Sequence, residues 1–144
     1  KMDDWRETER LHFAAGDGDL DQVRSLVKGD RDVNANDTQG LTPLHYAAAA
    51  EHIDVVRYLL SAGANVNAID DSTAGNTPLG HVAQTCSQAM AKLLLDAGAN
   101  PLIPGTMQIT PLQRADRRKK AEGRRVFELL LAVARSKFHY QNGG

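Results

Sequence analysis

The chain has 144 residues, 42% hydrophobic and 24% charged, with a formal net charge of −1, the size and make-up of one ordinary domain. Its longest strictly apolar stretches, such as Leu129 to Ala134, fall far short of the roughly 18–20 residues that a membrane-crossing helix needs. The single cysteine, Cys86, excludes an internal disulfide and a CxxC zinc site, and 7 aromatics against 20 Ala and 16 Leu leave the core to slim, closely packed helices. A reducing, cytoplasmic compartment is the expectation, since Lys1-Met2-Asp3-Asp4 has no basic and apolar segment resembling a secretion signal.

In chain order, a first unit over about residues 8–36 carries Leu11-His12-Phe13-Ala14-Ala15 on one helix and Leu26-Val27 on a second. Gly29-Asp30 is expected to stop that second helix, because Asp tolerates the left-handed backbone better than most residues. Trp5 is expected to close the open end of the core. The second unit, residues 37–69, repeats the pattern 33 residues on as Leu44-His45-Tyr46-Ala47-Ala48. Thr42 is placed to cap its first helix, with Pro43 at the first position, where no amide hydrogen is needed. Ile53, Val56, Leu59 and Leu60 form the apolar stripe of its second helix, and Gly63 supplies the left-handed residue that ends it. Val66 and Ile69 then lead into a hairpin-like tip.

The third unit, residues 70–104, reads Thr77-Pro78-Leu79-Gly80-His81, 35 residues after its predecessor, with Leu94-Leu95 on the second helix. The two extra residues fall between Asp70 and Asn76. That polar run (Asp70, Asp71, Ser72, Thr73, Gly75, Asn76) lacks the acidic twelfth residue of an EF-hand calcium loop, so no metal is expected there. In the fourth unit, residues 105–135, Thr110-Pro111-Leu112 is followed 18 residues on by Leu130-Leu131, against 15 elsewhere, which predicts an inter-helix segment three residues longer. Seven cations, Arg114, Arg117, Arg118, Lys119, Lys120, Arg124 and Arg125, lie within 12 positions there. The tail, residues 136–144, is expected to fray.

Two landmarks in register at a period near 33, best seen in Thr42-Pro43-Leu44-His45-Tyr46-Ala47, resemble the T-P-L-H-x-A unit of the ankyrin repeat family. The resemblance implies one all-α domain, a solenoid of paired antiparallel helices with hairpin-like turn tips, stabilised by stacking because no single unit buries its own apolar face. It also implies that His12 and His45 bond to adjacent turns and that His52 sits between helices. Gly80 departs from the histidine position, which suggests a locally different finger in the third unit.

The family's members bind other macromolecules, usually proteins, through their tips and the concave face of their first helices. By that analogy the contact positions in the second unit are Thr38, Gln39, Leu41, Tyr46, Ala49, Ala50 and Ile69. The third unit offers Thr73, Ala74, Asn76, His81, Gln84 and Thr85, and the fourth Thr106, Met107, Ile109, Arg114, Arg117 and Arg118. Leu41, Tyr46, Met107 and Ile109 are the apolar members and the expected energetic centre. Residues 1–70 hold 7 Lys/Arg against 13 Asp/Glu, net −6, while residues 71–144 hold 10 against 5, net +5, so the array is expected to be a charge dipole that orients its partner.

No cofactor and no catalysis are expected, since His81 and Cys86 lie five apart with no third ligand in the sequence pattern. The partner is expected to be another protein, with the chain a monomer or weak oligomer. Alternatives are an inhibitor that plugs an enzyme with the long third finger, or a basic fourth unit that binds nucleic acid or anionic lipid. The nucleic-acid reading is weakened by the lack of an aromatic among the cations. Asn34 and Asn67 resemble asparagines that hydroxylases modify in this family, against the plainer reading that they bond the loops.

Overall fold

The computed structural model describes residues 9–70 and 75–141. Among the described residues eight α-helices form four antiparallel pairs: α1 (Arg10–Asp17) with α2 (Leu20–Lys28), α3 (Pro43–Ala49) with α4 (Ile53–Ser61), α5 (Pro78–Val82) with α6 (Gln88–Asp96), and α7 (Pro111–Asp116) with α8 (Ala121–Lys137). No strand occurs among the described residues. The first helices pack in one row, α1 on α3 on α5 on α7, and the second helices in another. None of these helices is long and apolar enough to cross a membrane.

Local chemistry explains the starts and stops. Thr42, Thr77 and Thr110 each accept a backbone N–H three residues on, and each is followed by proline at the first helical position. Gly63 ends α4 in the left-handed region (φ 99°), and Asp30 does the same after α2 (φ 70°). Between the rows lies one continuous core of Leu11, Leu44, Leu59, Leu79, Met90, Leu94 and Leu130 with alanines at the close approaches. In α4 the buried stripe is Val55, Val56 and Leu59, whereas Ile53 and Leu60 of the expected stripe are half-buried.

Neighbouring pairs are stapled at their tips and loops. His12 Nε2 bonds Ala35 O at 2.7 Å, His45 Nε2 bonds Asn76 O at 2.7 Å, and His52 Nε2 reaches back to Gly16 O at 3.1 Å. Asn34 and Asn67 form a second ladder: each amide donates to the carbonyl of Gly63 or Gly98, and each side-chain oxygen accepts from Asn65 N or Asn100 N. Both asparagines therefore bond the loops, as the plainer reading has it.

One expectation for the fourth unit is corrected. Its inter-helix segment spans only residues 117–120, one longer than the 50–52 segment of the second pair and one shorter than the 83–87 segment of the third. The additional residues extend α8, which runs for 17 residues, because nothing between Ala121 and Leu130 breaks a helix except Gly123. In the described part of the tail α8 continues to Lys137, and Phe138 N and Tyr140 N both donate to Ala134 O, at 3.1 and 2.9 Å. His139 takes a left-handed turn (φ 56°) that brings Tyr140 onto the core beside Leu102, Leu112, Phe127 and Leu131. Trp5 lies outside the described residues.

Candidate binding surface

Each of the last three helix pairs is preceded by a tip whose base is closed by a backbone bond: Asp37 N to Leu41 O at 2.8 Å, Asp70 N to Asn76 O at 2.9 Å and Gly105 N to Ile109 O at 3.0 Å. The tips and the outward sides of the first helices form a shared surface. On it the residue after each T-P-L-H histidine position makes a ladder, Phe13, Tyr46, His81 and Arg114. His12 meets the Tyr46 ring edge-on at 6.0 Å, and His45 meets His81 edge-on at 5.8 Å, so each buried histidine supports the next rung. Phe13, 48% exposed, belongs to this surface although it was not among the expected contacts. Its place in Leu11-His12-Phe13, matching Leu44-His45-Tyr46, is the signal that marks it.

In the second unit Thr38, Gln39, Ala49 and Ala50 are exposed and Leu41 is half-buried. Tyr46 is half-buried too, and its hydroxyl donates to the Asp37 carboxylate, whose other oxygen accepts Gln39 N and Leu41 N at 2.9 Å each. Burial, and then the Asp37 carboxylate, hold the phenol well above the ordinary tyrosine range. Tyr46 thus braces its tip and presents a ring edge. With Glu9, Phe13, Asp37, Thr38 and Gln39 it lines a hollow of about 440 Å³. Glu9, standing where the other pairs have threonine, accepts Thr38 N across the tip, and the buried Nδ1 of His12 is left without a partner.

The third unit replaces its missing histidine with Asn76. The Asn76 amide donates to Thr106 Oγ1 at 3.1 Å and its oxygen accepts Thr106 N at 3.3 Å, which joins the third and fourth tips. Gly105 makes this possible, since a Cβ there would stand 1.8 Å from Asn76 Oδ1. Asp70, buried, accepts Gly75 N and Asn76 N and so closes the base of the finger. Thr73 and Ala74 lie outside the described residues. His81, Gln84 and Thr85 are exposed on or just after α5. Burial of the His81 ring lowers its pKa, the Asp70 carboxylate opposes this, and the nearby Arg114 cation adds to it.

The fourth tip is the most unusual. Met107 and Gln108 are both left-handed (φ 59° and 61°) in a type I′-like turn closed by Ile109 N to Thr106 O at 3.1 Å. At the equivalent stage of the second and third tips a glycine, Gly40 or Gly75, takes the positive φ. Met107 is 84% exposed and Ile69 54%, while Ile109 and Thr106 are half-buried.

The seven cations divide by role. Arg118 Nη1 donates to Cys86 O at 2.8 Å and Ala83 O at 3.3 Å, an internal staple. Arg124 bonds Asp116 and lies over the Phe127 ring at 4.6 Å. Arg114 donates from Nη2 to Thr106 O at 3.3 Å, and its Nε is buried with no partner. Arg117, Lys119, Lys120 and Arg125 are exposed. Among the described residues no three His, Cys, Asp or Glu side chains are grouped to hold a metal ion. Cys86 is buried, and burial pushes its thiol up to about 11 despite the Arg118 cation beside it.

Comparison with known families gives one match: the family model described as ankyrin repeats in three copies covers residues 11–105, two thirds of the chain. The α7–α8 pair follows the matched stretch. No curated protein matches the chain closely enough to count as a relative.

Proposed function

Because the chain belongs to the ankyrin repeat family, whose repeats are generally protein–protein interaction modules, we propose that it binds another protein through its tips and the outward sides of α1, α3, α5 and α7. One observation carries the reading: the fourth tip holds a large apolar side chain, Met107, in solvent on a backbone that disfavours it. Two adjacent non-glycine residues in the left-handed region cost about 1–2 kcal/mol each, and Met107, 84% exposed, buries little apolar area in return. A partner that covers Met107 and Ile69 offsets that cost, since burying one such side chain contributes about 1.5–3 kcal/mol.

The contact set is exposed at Thr38, Gln39, Ala49, Ala50, Ile69, His81, Gln84, Thr85, Met107 and Arg117 and half-buried at Leu41, the Tyr46 ring edge, Ile109 and Arg114. Asn76, Thr106 and Arg118 support it from behind through their internal bonds. The acidic and basic halves of the array orient the partner, so its association rate falls as salt rises.

Affinity capture with the wild-type chain and with Ile69→Ala plus Met107→Ala, read by mass spectrometry, tests the reading. Loss of the captured protein from the double variant is expected. Retention of every captured protein overturns the proposal. Tyr46 is left intact because its hydroxyl braces a tip.

A further inference from the structure

The proposed surface changes character along its length, and its cationic end carries a narrower inference. Arg114 occupies the last rung of the ladder. Its guanidinium makes one hydrogen bond, from Nη2 to Thr106 O at 3.3 Å, and keeps a buried Nε without a partner. A guanidinium is built for two parallel bonds to a carboxylate, so this one is under-satisfied. His81, the preceding rung, lies close enough for Arg114 to depress its pKa, and Arg117, the first residue after α7, is exposed. The Asp70 carboxylate, which acts on His81 in the opposite sense, is buried and accepts two backbone N–H groups. Asp116, the exposed carboxylate on α7, is paired with Arg124, which leaves Arg114 and Arg117 as the cations of this end. Apolar tips, Ile69 and Met107, stand beside them.

Resting on the protein-binding reading above, we propose that this end of the surface takes an acidic and aliphatic segment of the partner. A partner Asp or Glu pairs with the Arg114 guanidinium between His81 and Arg117, and neighbouring aliphatic side chains cover Met107 and Ile69. Charge complementarity selects the acidic side chain. The apolar tips select a peptide over a phosphate backbone, which offers nothing to cover them. Lys119 and Lys120 lie two and three residues beyond Arg117 in the α7–α8 connection, further from the tip, and are outside the pairing.

The probe is a fluorescein-labelled peptide of about ten residues alternating Glu with Leu, titrated with the full chain in fluorescence anisotropy. A Lys/Leu peptide and a single-stranded DNA of similar length are compared. The Glu/Leu peptide is expected to bind best and to weaken about tenfold with Arg114→Gln, as for loss of a hydrogen bond to a charged group. Arg117→Gln is expected to weaken it several-fold. Lys119→Gln plus Lys120→Gln is expected to leave it within twofold at 0.15 M salt. Urea midpoints unchanged from wild type show that the variants remain folded, and Arg117→Gln, whose side chain is exposed, keeps the test open if Arg114→Gln does not fold.

No binding of the Glu/Leu peptide, equal binding of the Lys/Leu peptide, or indifference to both arginine variants overturns the inference. So does DNA binding with the same dependence on Arg114, which makes the site one for nucleic acid. Failure here with successful capture through Met107 and Ile69 refutes only the acidic partner segment. Failure of both removes the surface.

Discussion

His45 makes the sharpest energetic prediction, because it is wholly buried and joins two repeats. Thr42 N donates to its Nδ1 at 3.2 Å and the Thr42 hydroxyl at 2.8 Å, while its Nε2–H donates to Asn76 O at 2.7 Å. His45→Ala leaves Thr42 N without its partner at about 1–3 kcal/mol, takes one of two donors from Asn76 O at about 1 kcal/mol since Asp70 N remains, and opens a cavity, so a loss of about 4 kcal/mol is expected. His45→Gln is the informative control. In the fourth pair Gln113 sits at the same position and its Oε1 accepts Thr110 N at 2.9 Å, so glutamine keeps the cap and loses only the link to Asn76, about 1–2 kcal/mol. Urea unfolding monitored by circular dichroism reads both. Equal losses for the two variants would refute the division between cap and staple.

The same residue sets a pH dependence. Burial lowers the pKa of His45, so the folded chain keeps it neutral where the unfolded imidazole, near 6.5, takes a proton. Below that value the unfolded state holds more protons, and stability falls as pH drops, by at most about 1.4 kcal/mol per pH unit for one such group. His45→Gln is expected to flatten the fall between pH 6.5 and 5, leaving the smaller share due to His81, whose pKa is also lowered. An unchanged slope contradicts the assignment.

Three further outcomes follow from the geometry. Replacing Met107-Gln108 with Asn-Gly suits the left-handed turn and is expected to raise stability by about 1–2 kcal/mol while weakening partner capture, read by thermal melts and pull-down together. Gly123→Ala puts a Cβ 2.5 Å from Arg118 Cβ, forcing that arginine off the Ala83 and Cys86 carbonyls; a loss of about 2 kcal/mol in urea unfolding is expected. Cys86, buried with its thiol pushed up to about 11, is expected to resist a thiol-disulfide reagent at pH 8 in the folded chain and to react fully in urea. Rapid reaction without denaturant would show that the α5–α6 connection opens.

What the sequence made legible was whatever recurs. Thr-Pro at the helix starts, the leucines 33 or 35 residues apart, Gly63 and even Asp30 at the helix stops each act through nearby backbone, so spacing alone locates them. Departures from the repeat were harder, because their compensations come from across the stack. The loss of histidine at Gly80 is repaired by Asn76, which is 30 residues from Thr106 in sequence and bonded to it in space. The run of seven cations read as one patch, yet Arg118 and Arg124 reach internal acceptors that no local pattern specifies. Likewise Tyr46 is part brace, through Asp37, and the left-handed Met107-Gln108 turn is invisible to propensity, since neither residue favours it.

The central claim is that the tips and first helices form the binding face. Amide chemical-shift mapping of the ¹⁵N-labelled chain with the protein that it captures tests this most directly. The account predicts perturbations at Gln39, Ile69, His81, Met107 and Arg114, with the exposed positions of the second helices, Arg57 and Lys92, unmoved. Perturbations centred on Arg57 and Lys92, with the tips silent, would contradict it.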